Sequence, residues 1–344
     1  VGNPNAGEVT MYRLCVIEGD GIGREVVPAA IEVLRQLLPQ LQVVPARAGW
    51  DCFRETGEAL PQATLQSLRD CGAGLFGAVS SPARRVDGYR SPIVQLRQQL
   101  QLSVNLRPVR SWPKVSSRQG VDLVILRENS EGLYSGREHL EAPGVAIAER
   151  VVSVAACQRL ARRASQIARQ RKARRITLVH KANVLPLSCG LFRDSCRDLL
   201  MGEGWGDVLD ERLVDLAALQ LVERPDDFDL IVTTNLFGDI LSDLACHWSG
   251  GLAMAPSLNW GDDIALAEPV HGSAPDIAGS GRANPLASIL SLALLLRYHW
   301  QRGDLADRLE EAVRHLLESG APTDFGVDTT RRITDGVIEA LNGA

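Results

Sequence analysis

Two carboxylates, Asp239 and Asp243, stand four residues apart in Asn235-Leu236-Phe237-Gly238-Asp239-Ile240-Leu241-Ser242-Asp243. On a helix both would project from one face of one turn, where they repel each other unless a cation lies between them. Hard oxygen donors at a strand–helix junction suit Mg2+ or Mn2+, which keep waters and reach substrate oxygens directly. The plainer reading is a first helical turn that favours acids through the helix dipole. His180-Lys181-Ala182-Asn183-Val184 closes a strand, the place where α/β folds present ligand-facing groups. A Lys buried near a metal can lose its proton and act as a base, whereas a solvated Lys at a strand end does neither. Arg97, Arg107 and Arg127 carry planar forks that take carboxylates bidentately, although a chain rich in Arg also holds many solvated ones. His271-Gly272-Ser273-Ala274-Pro275-Asp276-Ile277-Ala278-Gly279 offers backbone N–H groups and one carboxylate that can pair with a ribose diol. The same density of Gly and Pro also makes ordinary surface turns.

These residues must be positioned by elements that the pattern also predicts. Leu14–Glu18, Gln42–Ala48, Gly74–Val79, Val121–Arg127, Arg175–His180 and Asp229–Thr234 read as strands, most of them near-continuous apolar runs. Helical periodicity covers Arg24–Leu38, Pro61–Asp70, Arg150–Arg171, Leu187–Leu200, Asp239–Trp248, Pro285–Arg297 and Asp304–Glu318. Strands buried on both faces and separated by helices argue an α/β architecture with much parallel sheet. Gly19-Asp20-Gly21-Ile22-Gly23 invites comparison with a dinucleotide fingerprint. Position 24 is Arg, however, and residues 40–44 hold no acid for a ribose, so a tight turn at a cleft mouth is the better reading.

A chain of 344 residues suggests about two domains. Its formal charge of −5 excludes a basic field for nucleic acid or an anionic membrane, and no apolar run is long enough to span a bilayer. Anionic ligands would therefore need a local cluster of arginines. Seven scattered cysteines without a C-x-x-C pair argue against a disulfide framework or structural zinc, and for a reduced cytoplasmic protein. Val1–Thr10 lacks the charged and apolar regions of a signal peptide and reads as a frayed lead-in. Of 37 basic residues only Lys114, Lys172 and Lys181 are Lys, which draws attention to a Lys inside a motif.

Together the segments resemble the β-decarboxylating hydroxyacid dehydrogenase family, comprising isocitrate, homoisocitrate, 3-isopropylmalate and tartrate/D-malate dehydrogenases. The resemblance runs from about Arg13 to Leu341. It rests on Glu18 to Gly23, Asn105-Leu106-Arg107-Pro108, Arg127 to Tyr134, His180 to Asn183, Asn235 to Asp243 and His271 to Asn284. It implies an isocitrate/isopropylmalate dehydrogenase-like two-domain α/β fold, not a Rossmann fold, with a cleft shared across a dimer or a dimer of dimers. Residues 1–102 plus 250–344 would form the first, cofactor-side domain. Residues 103–249 would form the second, with a dimer arm near 135–150 and interface helices near 215–250.

The same resemblance implies roles. Asp239 and Asp243 would hold Mg2+ or Mn2+ with Asp215 of the partner subunit, a residue counted among the catalytic groups as well. Lys181 of the partner subunit would accept the substrate's hydroxyl proton, and Tyr134 would protonate the enolate carbon. Arg97, Arg107 and Arg127 would grip malate-like carboxylates, with Ser81 hydrogen-bonding substrate. Asn183, His271, Gly272, Ser273, Ala274, Pro275, Asp276 and Asn284 would bind the dinucleotide. NADP-using isocitrate relatives carry Lys-Tyr where this chain has Asp276-Ile277, and a carboxylate repels a 2′-phosphate, so NAD is expected.

For the substrate, Ser91-Pro92-Ile93-Val94 resembles fungal-type homoisocitrate dehydrogenases, with Ser91 and Val94 lining the pocket and Arg90 within reach of a distal carboxylate. The function implied is NAD-dependent oxidative decarboxylation of homoisocitrate, a 2-hydroxy tricarboxylate, with isocitrate as a further substrate, in the setting of lysine biosynthesis. 3-Isopropylmalate is the first alternative, tartrate/D-malate the second, and a non-catalytic regulatory subunit the reading from another class.

Overall fold

The apolar runs become strands because their side chains leave water on both faces, each larger one contributing roughly 1.5–3 kcal/mol. The computed structural model describes residues 11–320 and 326–343, so the expected lead-in at Val1–Thr10 lies outside the described residues. The chain opens with β1 (Arg13–Gly19), α1 (Gly23–Leu37), β2 (Gln42–Ala46), α2 (Trp50–Thr56), α3 (Gln62–Cys71) and β3 (Ala73–Ala78). It continues through α4 (Pro92–Gln99), β4 (Val104–Arg110), β5 (Asp122–Glu128), β6 (Glu138–Ala142) and β7 (Val145–Ala148). Next come α5 (Val154–Arg171), β8 (Ile176–His180), α6 (Ser188–Gly202), β9 (Leu209–Leu213), α7 (Val214–Glu223), β10 (Leu230–Thr233) and α8 (Asn235–Ala245). The last elements are β11 (Pro256–Trp260), β12 (Ala265–Pro269), α9 (Leu286–Leu294), α10 (Gly303–Glu318) and α11 (Thr329–Gly343).

Ten strands form one sheet in the order β2-β1-β3-β12-β11-β4-β5-β10-β8-β9. β11 runs antiparallel to both β12 and β4, and β4 antiparallel to β5, while both flanks are parallel. This mixed order is not a Rossmann sheet. β6 and β7 form a separate exposed hairpin, where the arm was expected. Among the described residues no helix is long and apolar enough to cross a membrane.

Several boundaries differ from the periodicity. The helix expected from Arg150 starts at Val154, because Val151 is bridged to Gly132 and Ser153 caps the helix by accepting from Ala156 N. The helix expected from Asp239 starts earlier, at Asn235, and passes into a 3₁₀ turn after Ala245. β4 and β11 carry Asn, Arg and Pro on buried backbone and were illegible as strands.

The Gly19–Gly23 turn proves to be a backbone crossing. Gly19 has φ +74°, and a Cβ there would meet Ala78 O at 1.9 Å. Between these glycines the buried Asp20 carboxylate accepts from the backbone N–H groups of Trp50 (2.8 Å), Asp51 (3.0 Å) and Ser80 (2.8 Å). Asp20→Ala should destabilise the protein by about 3 kcal/mol in urea unfolding, since it strands three donors. A loss under about 1 kcal/mol would mean that water replaces the carboxylate.

Candidate active site

Arg127 is the penultimate residue of β5, and the sheet register sets Asn105 of β4 beside it on one flank and Thr233 of β10 on the other. Two residues along β4, Arg107 shares the face of Asn105. Arg97 comes from the last turn of α4. All three guanidiniums are buried, at 8%, 7% and 1% exposure for Arg97, Arg107 and Arg127, so the solvated reading fails for each. Arg127 gives Nε and Nη2 to Asn235 Oδ1 (3.2 and 2.8 Å) and Nη1 to Asp239. Arg107 reaches Asp239 at 3.3 Å and Asp243 at 3.0 Å, and Arg97 reaches Glu268 at 3.2 Å. Burial, then the like charges of Arg107 and Arg97, lower the Arg127 pKa to about 10. Three cations crowded this closely favour an incoming anion.

Asp239 and Asp243 do lie on one face of α8, but the cation between them is the Arg107 guanidinium. The two acids are therefore not left in bare repulsion. Neither acid is in the first turn of the helix, so the dipole reading does not explain them. Burial alone would raise the Asp239 carboxyl, yet Arg127 and Arg107 outweigh it and hold the group below the ordinary range. Asp243 goes up, because its burial outweighs the single nearby contact to Arg107. Tyr134 donates its hydroxyl to Asp239 Oδ2 at 2.5 Å. Burial and that carboxylate raise the phenol pKa, so Tyr134 keeps its proton through the neutral range.

Lys181 and Asp215 form a second, more exposed cluster, ion-paired at 2.5 Å where β8 ends and α7 begins. The Lys is partly rather than fully buried. Its neighbour His180 is buried, accepts from Ala182 N at Nδ1 (3.1 Å) and faces Glu211 with Nε2 (3.4 Å), which braces the backbone around Lys181. Among the described residues no three acidic, His or Cys side chains gather as a metal site within the chain. The donor chemistry of Asp239 and Asp243 fits a hard divalent cation and is short of a third carboxylate.

The 271–284 loop packs against the opening turn, with Ser273 O accepting from Ile22 N (2.8 Å) and Ser80 Oγ donating to Ser273 Oγ (2.8 Å). Asp276 and Gly272 are exposed, while Asn284 is buried and its Oδ1 accepts from Leu286 N (2.9 Å) at the start of α9. His271 Nε2 is enclosed without a hydrogen-bond partner, an orphan that suits a site completed by a polar ligand. Gly21, Trp50, Ser81, Pro275 and Gly279 line a cavity of about 850 Å³, which is large enough for part of a dinucleotide. Asn183 and Ser81 are exposed, and Ser91, Ile93 and Val94 half-buried. Arg90 is exposed, with Nη2 3.4 Å from Gln98 Oε1.

Sequence reasoning missed the groups that hold the arginines. Asn235 orients Arg127, and its Nδ2 donates to Glu131 O at 3.0 Å. The buried Glu128 carboxylate accepts from Ser130 N (2.7 Å), Ser130 Oγ (2.6 Å) and Glu131 N (2.9 Å), and its burial raises its pKa. The available signal was polar side chains at the ends of apolar strands.

The family described as isocitrate/isopropylmalate dehydrogenase matches residues 13–341. An isocitrate/homoisocitrate dehydrogenase of Thermus thermophilus is 50% identical over 96% of this chain and 98% of its own length. A 3-isopropylmalate/3-methylmalate dehydrogenase of Methanocaldococcus jannaschii is 45% identical over 92% and 94%. The crystal structure of isocitrate dehydrogenase from Methylococcus capsulatus superposes with TM-score 0.90 at 39% identity, covering 96% of this chain and 99% of that one.

Proposed function

The chain belongs to the isocitrate/isopropylmalate dehydrogenase family, as a β-decarboxylating hydroxyacid dehydrogenase, and from this premise we propose that it uses NAD to convert homoisocitrate to 2-oxoadipate and CO₂, with isocitrate as a second substrate. The observation that carries the reading is the set of three buried guanidiniums of Arg97, Arg107 and Arg127 beside the protonated Tyr134. Asp239 and Asp243, completed by Asp215 of the partner subunit, would hold a divalent cation. That cation would supply Lewis-acid polarisation of the substrate oxygens, and NAD the hydride acceptor. The arginine forks orient the malate-like carboxylates. Lys181 of the partner subunit takes the hydroxyl proton, and Tyr134 delivers one to the carbon that loses CO₂. Exposed Leu216, Leu219 and Val222 on α7 and Ile240 and Leu244 on α8 support burial of this face against a second copy. Residues 1–102 with 250–344, and 103–249, are the two domains of this reading.

The substrate assignment is supported by the Thermus relative's name and by the Ser91–Val94 segment. Half-buried Ile93 and Val94, and the 45% identical Methanocaldococcus relative, favour 3-isopropylmalate as the second reading. Assays with NAD and Mg2+ on homoisocitrate, isocitrate, 3-isopropylmalate and D-malate separate them. Homoisocitrate should be fastest, isocitrate measurable and 3-isopropylmalate poor, because an isopropyl group strands polar neighbours. Arg90→Ala should weaken homoisocitrate more than D-malate, which has no third group to grip. Equal losses would leave Arg90 a surface residue, and a high 3-isopropylmalate rate would transfer the function to the second reading.

Exposed Asp276 supports NAD over NADP. Replacing Asp276→Lys together with Ile277→Tyr should move the ratio of kcat/KM values toward NADP by roughly ten-fold or more, as repulsion of the 2′-phosphate becomes attraction. Wild-type protein that already prefers NADP would refute the Asp276 argument.

A further inference from the structure

We propose that Asn259 is a positioning residue that fixes the angle between the Arg97 and Arg107 forks; the inference rests on the reading of both as carboxylate-binding groups. Asn259 lies on β11 and is wholly buried, at 0% exposure. Its Oδ1 accepts three hydrogen bonds, from Arg97 Nε (3.0 Å), Asn105 Nδ2 (3.0 Å) and Asn129 Nδ2 (2.9 Å). A carbonyl oxygen has two lone pairs, so three donors crowd one acceptor. Asn129 gives its Nδ2 to that oxygen and to Leu102 O (3.0 Å), and its own Oδ1 is buried without a partner. Asn259 cannot flip to relieve the crowding, because its Nδ2 donates to Glu268 Oε2 (2.8 Å) and Leu266 O (3.2 Å).

The relay continues to the second arginine. Asn105 is the cross-strand partner of Asn259, and its Oδ1 accepts from Arg107 Nε at 2.6 Å. Each guanidinium is thus tethered at Nε, which sets the plane of its fork, while Arg97 Nη2 meets Glu268 and the Arg107 Nη atoms meet Asp239 and Asp243. A bidentate grip on two carboxylates of one substrate depends on those two planes. Arg97 already has Glu268 as a counter-charge at 3.2 Å, and an amide accepts from its Nε without adding a second negative charge beside it. Asn105 and Asn129 stand on or beside β4 and β5, while Asn259 and Arg97 stand on β11 and α4. One oxygen therefore registers arginines from both flanks of the β11–β4 junction.

The test compares wild type with Asn259→Ser, whose short hydroxyl cannot reach the three donors, and Asn105→Ser, which cuts the relay to Arg107 and leaves Asn259 on Arg97. Crystal structures and steady-state kinetics with isocitrate and NAD are read in parallel. Asn259→Ser should rotate the Arg97 and Arg107 planes and raise the isocitrate KM by roughly ten-fold or more, as a lost charge-assisted hydrogen bond predicts, with the NAD KM within about two-fold. Asn105→Ser should rotate the Arg107 plane and leave the Arg97 plane in place. Unmoved planes in the Asn259→Ser variant with an unchanged isocitrate KM would overturn the proposal, whatever the change in Tm. If the Asn259→Ser variant failed to fold, an unmoved Arg107 plane in the Asn105→Ser variant would overturn the proposal, and a rotated Arg107 beside an unmoved Arg97 would support it. If wild-type protein oxidised no 2-hydroxy acid, the proposed reaction would fall, and the guanidinium planes alone would still decide the role of Asn259.

Discussion

Lys181→Met and Tyr134→Phe proteins should each lose at least about two orders of magnitude in kcat, and mixing them with subunit exchange should restore part of the activity. The loss follows from removing a base or an acid from the proton-transfer steps. The recovery follows from geometry. Within one chain Tyr134 is bound to Asp239, whereas Lys181 is bound to Asp215, and no described hydrogen bond joins the two clusters. If each site takes Tyr134 from one copy and Lys181 from the other, a mixed dimer contains one site with both groups intact. Mass spectrometry of differently tagged copies verifies the exchange. Inactive mixtures with proven heterodimers would place both groups in the same copy's site.

Asp239→Asn should raise the Mg2+ concentration needed for half-maximal activity by about 100-fold or more, since a neutral amide is a poor ligand for a hard cation. The same change should also cost stability, on the order of 2 kcal/mol, because Arg127 is 1% exposed and would lose the Asp239 carboxylate. A reading from sequence spacing alone predicts the opposite, relief of repulsion between two acids. The pH dependence separates these accounts. The folded-state pKa of Asp239 is depressed, so its stabilisation is present above the unfolded pKa and is lost as pH falls through the folded value. Urea unfolding of wild type and variant should therefore differ at neutral pH and converge in acid. A variant as stable as wild type at neutral pH would mean that Asn235 alone suffices for Arg127, and an unchanged Mg2+ requirement would remove Asp239 from the metal site.

The chemistry-bearing segments were legible because each is local. The i, i+4 spacing of Asp239 and Asp243 places both on one face of α8 whatever surrounds it, and the apolar runs of β5, β8 and β10 have no better place than the sheet interior. The Gly19–Gly23 turn is local as well, since glycine is the residue that tolerates the Ala78 carbonyl so close. Val104–Arg110 and Pro256–Trp260 were not legible as strands. Their Asn and Arg side chains look exposed in a linear pattern, and only the partners that satisfy them make burial affordable.

Those partners are far away in the chain. Asp239 meets Arg127 across 112 positions, and Asn259 meets Arg97 across 162. Such pairs depend on strand order and register, and a shift of one residue in β4 would turn Asn105 and Arg107 to the other face of the sheet. The sequence by itself therefore determined which groups could do the chemistry and that they lie at the ends of elements. Only the tertiary structure decided which carboxylate holds which guanidinium, because a buried charge is tolerated where its counter-charge is brought to it.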